Sequence, residues 1–250
     1  MPSTKRIWVT GASEGIGLGL LKHYQALGWH TVGTSRRADA PCEAARWISA
    51  DLTVSAQRER AVAELLEADF WPDLVVLNAG IGHIAPARET RPEDAQRVFA
   101  LNYDAPVELT RLLHARGAGR PLHVVVISSI AARFGQKNLA PYTARKAAVA
   151  LWAASVHEEW HGSPHRIQLV LPGVVTTGIM RHSIGPDGHP LGDRAATHNG
   201  WSVERTARAI ERATRSARFA HILASPSVRL ALVLHDLCPS LFYMLLRRRS

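Results

Sequence analysis

The sequence predicts an α/β fold in which a doubly wound, mostly parallel sheet of seven strands is flanked by helices. Short runs rich in β-branched residues alternate with longer helical patterns along the chain, as in a sheet built from βαβ units. Several of these runs, such as residues 74–77 and 124–127, are entirely apolar, which is typical of strands buried on both faces.

The elements follow in a regular order. We predict strands at residues 6–10, 30–34, 46–48, 74–78, 122–128, 166–171 and 220–223. We predict helices at residues 15–27, 55–69, 92–116, 140–160 and 202–216. Two regions depart from the alternation. Residues 178–200 hold five glycines and two prolines, which predicts a long mobile loop, and residues 226–250 predict an apolar helical tail.

Length and composition indicate one domain over residues 1–250, because no linker, repeat or low-complexity stretch interrupts the pattern. The two cysteines, Cys42 and Cys238, lie far apart without metal-ligand spacing. We therefore expect no metal site and a reducing compartment. The first residues contain no apolar signal core. The expected location is the cytoplasm, with a membrane surface as the alternative.

The net charge of +9 raises the question of a nucleic-acid partner. The basic residues are scattered, and their single tight cluster is at positions 247–249. No nucleic-acid motif is present. We therefore expect no nucleic-acid binding and interpret the charge as a solvated surface that attracts anionic ligands.

A glycine-rich turn follows the first predicted strand. Gly11 permits the tight turn, Gly15 lets the backbone approach a pyrophosphate, and Gly17 lets the next helix lie close to the sheet. The helix N-terminus offers free N–H groups to phosphates. This placement predicts a dinucleotide site, and a turn without a ligand is the alternative.

The spacing Gly11-x3-Gly15-x-Gly17 resembles that of the short-chain dehydrogenase/reductases, and the resemblance extends over nearly the whole chain. It implies a Rossmann fold and an oxidoreductase that moves a hydride between a nicotinamide cofactor and a carbonyl or secondary alcohol. In the family the pair 51–52 borders the adenine, and the segment 78–80 supports the sheet beside the cofactor. The segment 172–177 lies against the nicotinamide.

The end of the second predicted strand favours NADP over NAD. Enzymes that prefer NAD usually place an acid there, which bonds the ribose hydroxyls. Ser35 stands at that position, and Arg36 follows with a planar charged fork suited to phosphate. Glu14 opposes this preference, since NADP-preferring relatives often carry a basic residue there. We expect NADP, because removing the acid matters more than gaining a second base.

Tyr142 and Lys146 lie four residues apart on a predicted helix and hence on one face. Ser129 precedes Tyr142 by thirteen residues, at the end of a strand. Together with Asn102 they match, position for position, the Asn-Ser-Tyr-Lys tetrad of the short-chain dehydrogenase/reductases. The resemblance implies that Asn102 kinks its helix and anchors a water that links Lys146 to solvent.

The chemistry explains these residue types. A hydride arriving at a carbonyl generates an alkoxide, which must be protonated as it forms. Tyr142 is the predicted acid, and we expect the ammonium of Lys146 and the oxidised nicotinamide to lower its pKa. Ser129 would hold and polarise the substrate oxygen. Arg145 is expected on another helix face without catalytic effect. His83 is expected on the surface, with the substrate pocket as the alternative.

The predicted catalytic residues are therefore Asn102, Ser129, Tyr142 and Lys146. The predicted cofactor-binding residues are Gly11, Ser13, Glu14, Gly15, Ile16, Gly17, Ser35, Arg36, Asp51, Leu52, Asn78, Ala79, Gly80, Tyr142, Lys146, Pro172, Gly173, Val175 and Thr177. By the resemblance, Val175 would contribute backbone and Thr177 would bond the carboxamide.

Two other classes remain open. One is a catalytically silent sensor on the same fold, which the presence of Tyr142 and Lys146 disfavours. The other is a lipid-binding module that works through the tail. An epimerase or dehydratase of the longer relatives would need a larger C-terminal substrate domain.

The tail is interrupted by Arg229, by the pair 235–236 and by Pro239, so it is not expected to span a bilayer. We expect it to cover the substrate cleft or a subunit interface. In the alternative, residues 241–246 dip into a membrane surface while the arginines at 247–249 meet anionic head groups. Both interpretations imply an apolar substrate.

The helices 92–116 and 140–160 pair across a two-fold axis in relatives. Their apolar residues are more numerous than one core-facing stripe requires. They include Leu109, Leu112, Leu113, Val149 and Trp152. We therefore expect a homodimer or homotetramer with closed symmetry.

Overall fold

The computed structural model describes residues 4–42, 46–67, 69–195 and 199–248, and its centre is a seven-stranded sheet. The strands are β1 Arg6–Thr10, β2 His30–Ser35, β3 Arg46–Ser49, β4 Leu74–Leu77, β5 His123–Ile127, β6 Arg166–Pro172 and β7 Ala220–Leu223. They lie in the order β3-β2-β1-β4-β5-β6-β7, and every pairing between them is parallel. The predicted fold class is confirmed. The sheet was predicted to be mostly parallel, and every pairing between these seven strands is parallel.

Helices cover both faces of the sheet. They are α1 Gly15–Ala26, α2 Ser55–Glu67, α3 Pro92–Phe99, α4 Ala105–Arg116, α5 Ala140–Glu159, α6 Ile179–His182, α7 Val203–Arg215, α8 Pro226–Leu237 and α9 Pro239–Arg247. Neighbouring residues of a strand point to opposite faces, so Trp8 enters one core while Ile7 and Val9 enter the other. The first core is closed by α2, α4 and α5, and the second by α1 and α7.

The chain changes direction between β1 and β4, and this creates a crevice. After β1 it continues to β2 and β3 on one side of the sheet, and then returns to β4 on the other. The amide of Asn78, directly after β4, donates to the carbonyl oxygens of Thr10 and Gly11 at 3.1 Å each. These bonds hold together the carboxyl ends of the two strands between which ligands of doubly wound sheets bind.

The helix predicted over residues 92–116 is interrupted. It divides into α3 and α4, and residues 100–104 between them form a π-helical turn. The side chain of Asn102 in this turn bonds the backbone of Ile81, which lies far away in sequence. Helical periodicity could not reveal an interruption that depends on such a distant partner.

The segment predicted as a long loop, residues 178–200, contains more regular structure than its glycines and prolines suggest. It includes α6 and a 3-10 turn at Gly192–Arg194. The N–H of Ile184 donates to Gly82 O at 3.0 Å, and the N–H of Ile84 donates to Ile184 O at 2.8 Å. The described part is therefore fastened to the segment after β4. Residues 196–198 lie outside the described residues.

The tail is helical, as predicted, and consists of α8 and α9 with a break at Cys238. Its inner side is fastened to the segment after β5. Arg133 forms an ion pair with Asp236 at 2.7 Å, and the N–H of Gly135 donates to the hydroxyl of Tyr243 at 3.0 Å. Within the described ranges, no helix is long and apolar enough to cross a bilayer. Residues 249–250 lie outside the described part.

Candidate active site

The glycine-rich turn after β1 leaves no room for side chains. Gly11 has a φ of +65°, and a Cβ on it would lie 2.7 Å from the Cα of Ala79. A Cβ on Gly17 would collide with the carbonyl oxygen of Gly11. No side chain caps α1 at Glu14. The N–H groups that begin α1 therefore stay accessible, which fits the pyrophosphate of a dinucleotide.

A cleft of about 480 Å³ opens at this turn, at the carboxyl ends of β1 to β4. The predicted cofactor residues that line it are Gly11, Ser13, Glu14, Gly15, Ile16, Ser35, Arg36, Asp51, Leu52, Asn78, Ala79, Gly80 and Thr177. The remaining six do not line it: Gly17, Tyr142, Lys146, Pro172, Gly173 and Val175. Gly17 packs against the turn instead, and the other five belong to the opposite end of the site.

The adenosine end of the cleft is cationic. Arg36, Arg37 and Arg97 line it together with Asp51. Burial alone would raise the pKa of the Asp51 carboxyl, but hydrogen bonds from the N–H and hydroxyl of Thr53 and the charges of Arg36 and Arg97 lower it below its ordinary value. Asp51 is therefore an anion. Its single negative charge does not balance the positive charges of the three neighbouring arginines.

Glu14 meets a partner across the cleft. Its carboxylate lies 3.2 Å from Nε2 of His182 at the end of α6, and both residues line the cleft. This contact joins the glycine-rich turn to the segment predicted as a loop. The carboxylate that is expected from the sequence to oppose NADP binding thus has an imidazole beside it.

Ser129, Tyr142 and Lys146 meet where β5 ends and α5 begins. The Ser129 hydroxyl hydrogen-bonds the phenol of Tyr142. The ammonium of Lys146 lies 6.0 Å from the centre of the Tyr142 ring and donates to Ile127 O at 3.0 Å. The Ser128 hydroxyl donates to Lys146 O at 2.8 Å, which ties the strand end to the helix.

Asn102 completes the predicted set. Its Oδ1 accepts from the N–H of Ile81 at 2.9 Å, and its Nδ2 donates to Ile81 O at 2.8 Å. A Cβ on Gly80 would lie 3.2 Å from Oδ1 of Asn102 and 3.5 Å from Nζ of Lys146. Both polar atoms therefore converge over the glycine, so all four predicted catalytic residues lie in one region.

Without the cofactor, the pKa of Tyr142 is shifted in the direction opposite to the one expected for the complex with the oxidised nicotinamide. Burial raises the pKa of Tyr142, and the hydrogen bond with Ser129 offsets part of that rise. Burial also lowers the pKa of Lys146 to about 8. In the protein alone, desolvation therefore outweighs the expected effect of the ammonium on the phenol, because both groups are withdrawn from water together.

The segment after β6 forms the other wall of the site. The N–H of Gly173 donates to Leu223 O at 2.9 Å, and Val175 pairs with Trp201 in a short parallel bridge. A Cβ on Gly15 would lie 3.3 Å from the side chain of Thr177. Thr177 therefore reaches the glycine-rich turn, while Gly173 and Val175 hold the segment through backbone bonds.

The expectation that His83 lies on the surface is wrong. His83 is fully buried, and neither ring nitrogen has a hydrogen-bond partner within the described residues. Burial lowers its pKa, although Asp94 acts in the opposite direction. The backbone bridge between His83 and Ile184 joins two segments that are distant in sequence.

Arg145 occupies another helix face than Tyr142, as expected, but it is not a solvated residue. Its guanidinium packs on the ring of Phe99 and is buried. Burial lowers its pKa to about 10, with Asp104 acting in the opposite direction. Arg145 therefore belongs to the contact between α3 and α5.

Sequence reasoning missed three charged residues of the cleft, namely Arg37, Arg97 and His182. Arg37 follows Arg36 directly and could have been included with it. Arg97 and His182 come from α3 and α6, and only the tertiary arrangement brings them to the cleft. No motif around either residue could have revealed this placement.

Comparison with known proteins gives consistent matches. Residues 5–186 match the family model described as short chain dehydrogenase. The chain is 28% identical over 260 residues to dehydrogenase/reductase SDR family member 7B of Bos taurus, covering 97% of this chain and 80% of that protein. It is 31% identical over 230 residues to 1-deoxy-11-beta-hydroxypentalenate dehydrogenase of Streptomyces avermitilis, covering 84% and 81%. A short chain dehydrogenase from Burkholderia cenocepacia, solved in complex with NADP, aligns with a TM-score of 0.81 at 22% identity over 98% of both chains.

Proposed function

The chain belongs to the short-chain dehydrogenase/reductase family of NAD(P)-dependent oxidoreductases, and on that premise we propose that it transfers a hydride between NADP(H) and an apolar ketone or secondary alcohol. The observation that carries the proposal is the convergence of Ser129, Tyr142, Lys146 and Asn102 at one end of the cofactor cleft. In this proposal residues 1–250 act as one cofactor-binding and catalytic domain.

Each of the four residues has its own role in protonating the substrate oxygen and in holding the cofactor. The nicotinamide supplies or accepts the hydride when it is bound. Ser129 donates a hydrogen bond to the substrate oxygen as negative charge develops there, and Tyr142 delivers its phenolic proton to that oxygen. Lys146 positions the nicotinamide ribose, and its charge lowers the cost of forming the phenolate. Asn102 bonds the backbone of Ile81 and thereby holds the neighbouring Gly80 beside the ammonium.

The preference for NADP rests on the charges around Ser35. The structure has no acid at the end of β2, and Arg36, Arg37 and Arg97 surround this end of the cleft. Within the described residues, Arg36 forms no hydrogen bond or salt bridge, so its guanidinium is available to a 2′-phosphate. The imidazole of His182 lies 3.2 Å from the Glu14 carboxylate, so this carboxylate already has a polar neighbour across the cleft.

The apolar substrate class is supported by the surroundings of the segment after Ser129. Phe134 in this segment packs edge-on against Phe242 of α9, with ring centres 5.0 Å apart. His235 of α8 lies 5.1 Å from the same Phe242 ring. An aromatic cluster therefore adjoins the residues that lead from the predicted catalytic serine, and it would favour carbonyl compounds with apolar substituents.

Spectrophotometry with a panel of carbonyl compounds and both reduced cofactors tests the proposal. We expect oxidation of NADPH with apolar ketones, and a loss of at least a hundredfold in kcat for Tyr142→Phe with nearly unchanged NADPH binding. The change removes the proton donor but keeps the ring. Thr143→Ser, at the neighbouring position, is the control. If Tyr142→Phe kept most of the wild-type rate, Tyr142 would not be the acid, and a chain that binds NADPH without turnover would be a sensor.

A further inference from the structure

We propose that the outer face of the tail docks on a membrane surface that carries anionic lipids. This tail face is formed by six exposed apolar side chains of α8 and α9: Leu230, Val233, Leu237, Leu241, Met244 and Leu245. They are half of the large apolar side chains that are exposed in the described part of the chain. Leu237 and Leu230 are 80% and 70% exposed. Such a concentration marks a binding surface.

The six side chains form one stripe on each helix. The three on α8 are spaced i, i+3 and i+7, and the three on α9 are spaced i, i+3 and i+4, so each set lies on one side. The other sides are already used for packing. Leu232 and Phe242 are buried against the rest of the chain. The tail is therefore anchored through its inner side, and its outer stripes have no partner within the described residues.

The charges beside the stripes are cationic. Arg248 follows the last residue of α9 and lies one turn beyond Met244 and Leu245, and Arg247 adjoins it. Asp236 is the single acid among residues 226–248, and Arg133 pairs with it at 2.7 Å. Neither Arg247 nor Arg248 has an ion-pair partner within the described ranges. The tail face thus offers apolar surface bordered by unpaired positive charge.

A groove of about 980 Å³ lies on the inner side of α9, next to these arginines. Its walls come from residues 131–137, the first two turns of α5, the last turns of α9 and His235 of α8. Arg133, Lys137 and Arg247 line it, and none of its described lining residues is acidic. The groove therefore adds positive charge at the same end of the tail as Arg248, which favours anionic head groups over neutral ones.

A second copy of the chain fits this face less well. In a two-fold contact the same patch meets itself, which would bring the arginines of both copies together without a free acid between them. A bilayer surface provides anionic groups and apolar chains at adjacent depths, so it matches both features. Helices of 12 and 9 residues with a break between them suit lying on such a surface.

Co-sedimentation with phosphatidylcholine vesicles, with and without phosphatidylglycerol, tests the charged part of the proposal. We expect the full chain to bind the mixed vesicles and to be released by salt. Arg247→Gln with Arg248→Gln should lower the partition coefficient roughly thirtyfold. The control is Arg88→Gln with Arg116→Gln, which removes the same net charge from exposed positions outside the tail and should leave binding unchanged.

The apolar part is tested by Leu237→Ser with Met244→Ser, which should lower binding by about tenfold or more. Leu27→Ser with Val54→Ser is the control at exposed apolar positions elsewhere. Equal binding of the tail and control variants would mean general attraction of a basic protein and would overturn the proposal. If light scattering without lipid showed a lower mass for Leu237→Ser with Met244→Ser than for the wild type, the tail face would be a contact with a second copy. That result would also overturn the proposal. Neither readout depends on turnover, so the proposed enzymatic function stands or falls separately.

Discussion

At the scale of single residues, local spacing sets the geometry of the catalytic groups, and burial by distant segments sets their charge. Ser129, Tyr142 and Lys146 lie where their spacing placed them, because a strand end and one helical turn are local features. Their ionisation is not local. The pKa of Lys146 and the burial of His83 depend on chain segments packed over them from elsewhere in the sequence. Residue type and spacing therefore predicted position, while charge required the tertiary structure.

Cofactor preference is the first prediction at this scale. Ser35→Asp with Arg36→Ala should shift the ratio of kcat/KM for NADP to that for NAD by about a hundredfold toward NAD, because it restores the acid that bonds the ribose and removes a phosphate ligand. Arg88→Ala is the control for an arginine remote from the cleft. A wild-type enzyme that already prefers NAD would show that Glu14 outweighs Arg36.

Lys146 gives a prediction about stability and pH. Burial lowers its pKa from the ordinary 10.5 to about 8. Below about pH 8 the folded chain therefore carries a buried ammonium at full cost. Lys146→Met should raise the free energy of unfolding of the cofactor-free protein near pH 7 by about 1–3 kcal/mol.

The sign of its pH dependence follows from proton binding. Between about pH 8 and 10.5 only the unfolded chain binds this proton, so the wild type gains stability as the pH rises. The advantage of Lys146→Met should shrink over that window. Denaturant unfolding at a series of pH values measures the difference. A difference that stayed constant with pH would contradict the assignment.

Among the elements, the strands were the most predictable. Their apolar runs end at turn-forming residues, so β1 and β7 match their predicted bounds, β5 is one residue shorter at each end, and the other four differ by one residue at one end. Periodicity gave no sign of the π-helical turn at 100–104, which depends on the bonds between Asn102 and Ile81, and only the family resemblance pointed to a kink at Asn102. The pairing of Ile184 with His83 was missed for the same reason, since glycines and prolines indicate a loop but not its contacts.

At the scale of single elements, we predict that α9 contributes to substrate binding. Deletion of residues 239–250 should raise KM for apolar ketones by about tenfold and leave KM for small polar ones nearly unchanged, because Phe242 and Tyr243 no longer cover the segment after Ser129. The control is Leu241→Ser with Leu245→Ser, which changes only the outer stripe. An equal rise in KM for both substrate types would limit α9 to a role in folding or assembly.

At the scale of the whole molecule, the apolar residues that were expected at a subunit contact belong to the core of the single chain. Leu109, Leu112, Leu113 and Val149 are buried in the first core of the chain itself, and Trp152 packs against it. These five residues therefore give no evidence for an oligomer. Leu151 on α5 does suggest a subunit contact, because its side chain is 72% exposed. Sequence periodicity could not separate core from interface here, because both lie on the same helix.

Assembly remains a prediction on this new ground. We expect a homodimer or homotetramer with closed symmetry at micromolar concentration, with Leu151 of α5 in the contact. Leu151→Glu should reduce the mass measured by light scattering to that of a monomer, because a charge would be buried without a partner. Its melting temperature at concentrations where the wild type also dissociates should be unchanged, since Leu151 contributes little to the core of one chain. Leu237→Glu on the tail is the matched control and should keep the oligomeric mass. A wild type that is monomeric at micromolar concentration would contradict the prediction, and an oligomer that survives Leu151→Glu but not Leu237→Glu would move the interface from α5 to the tail.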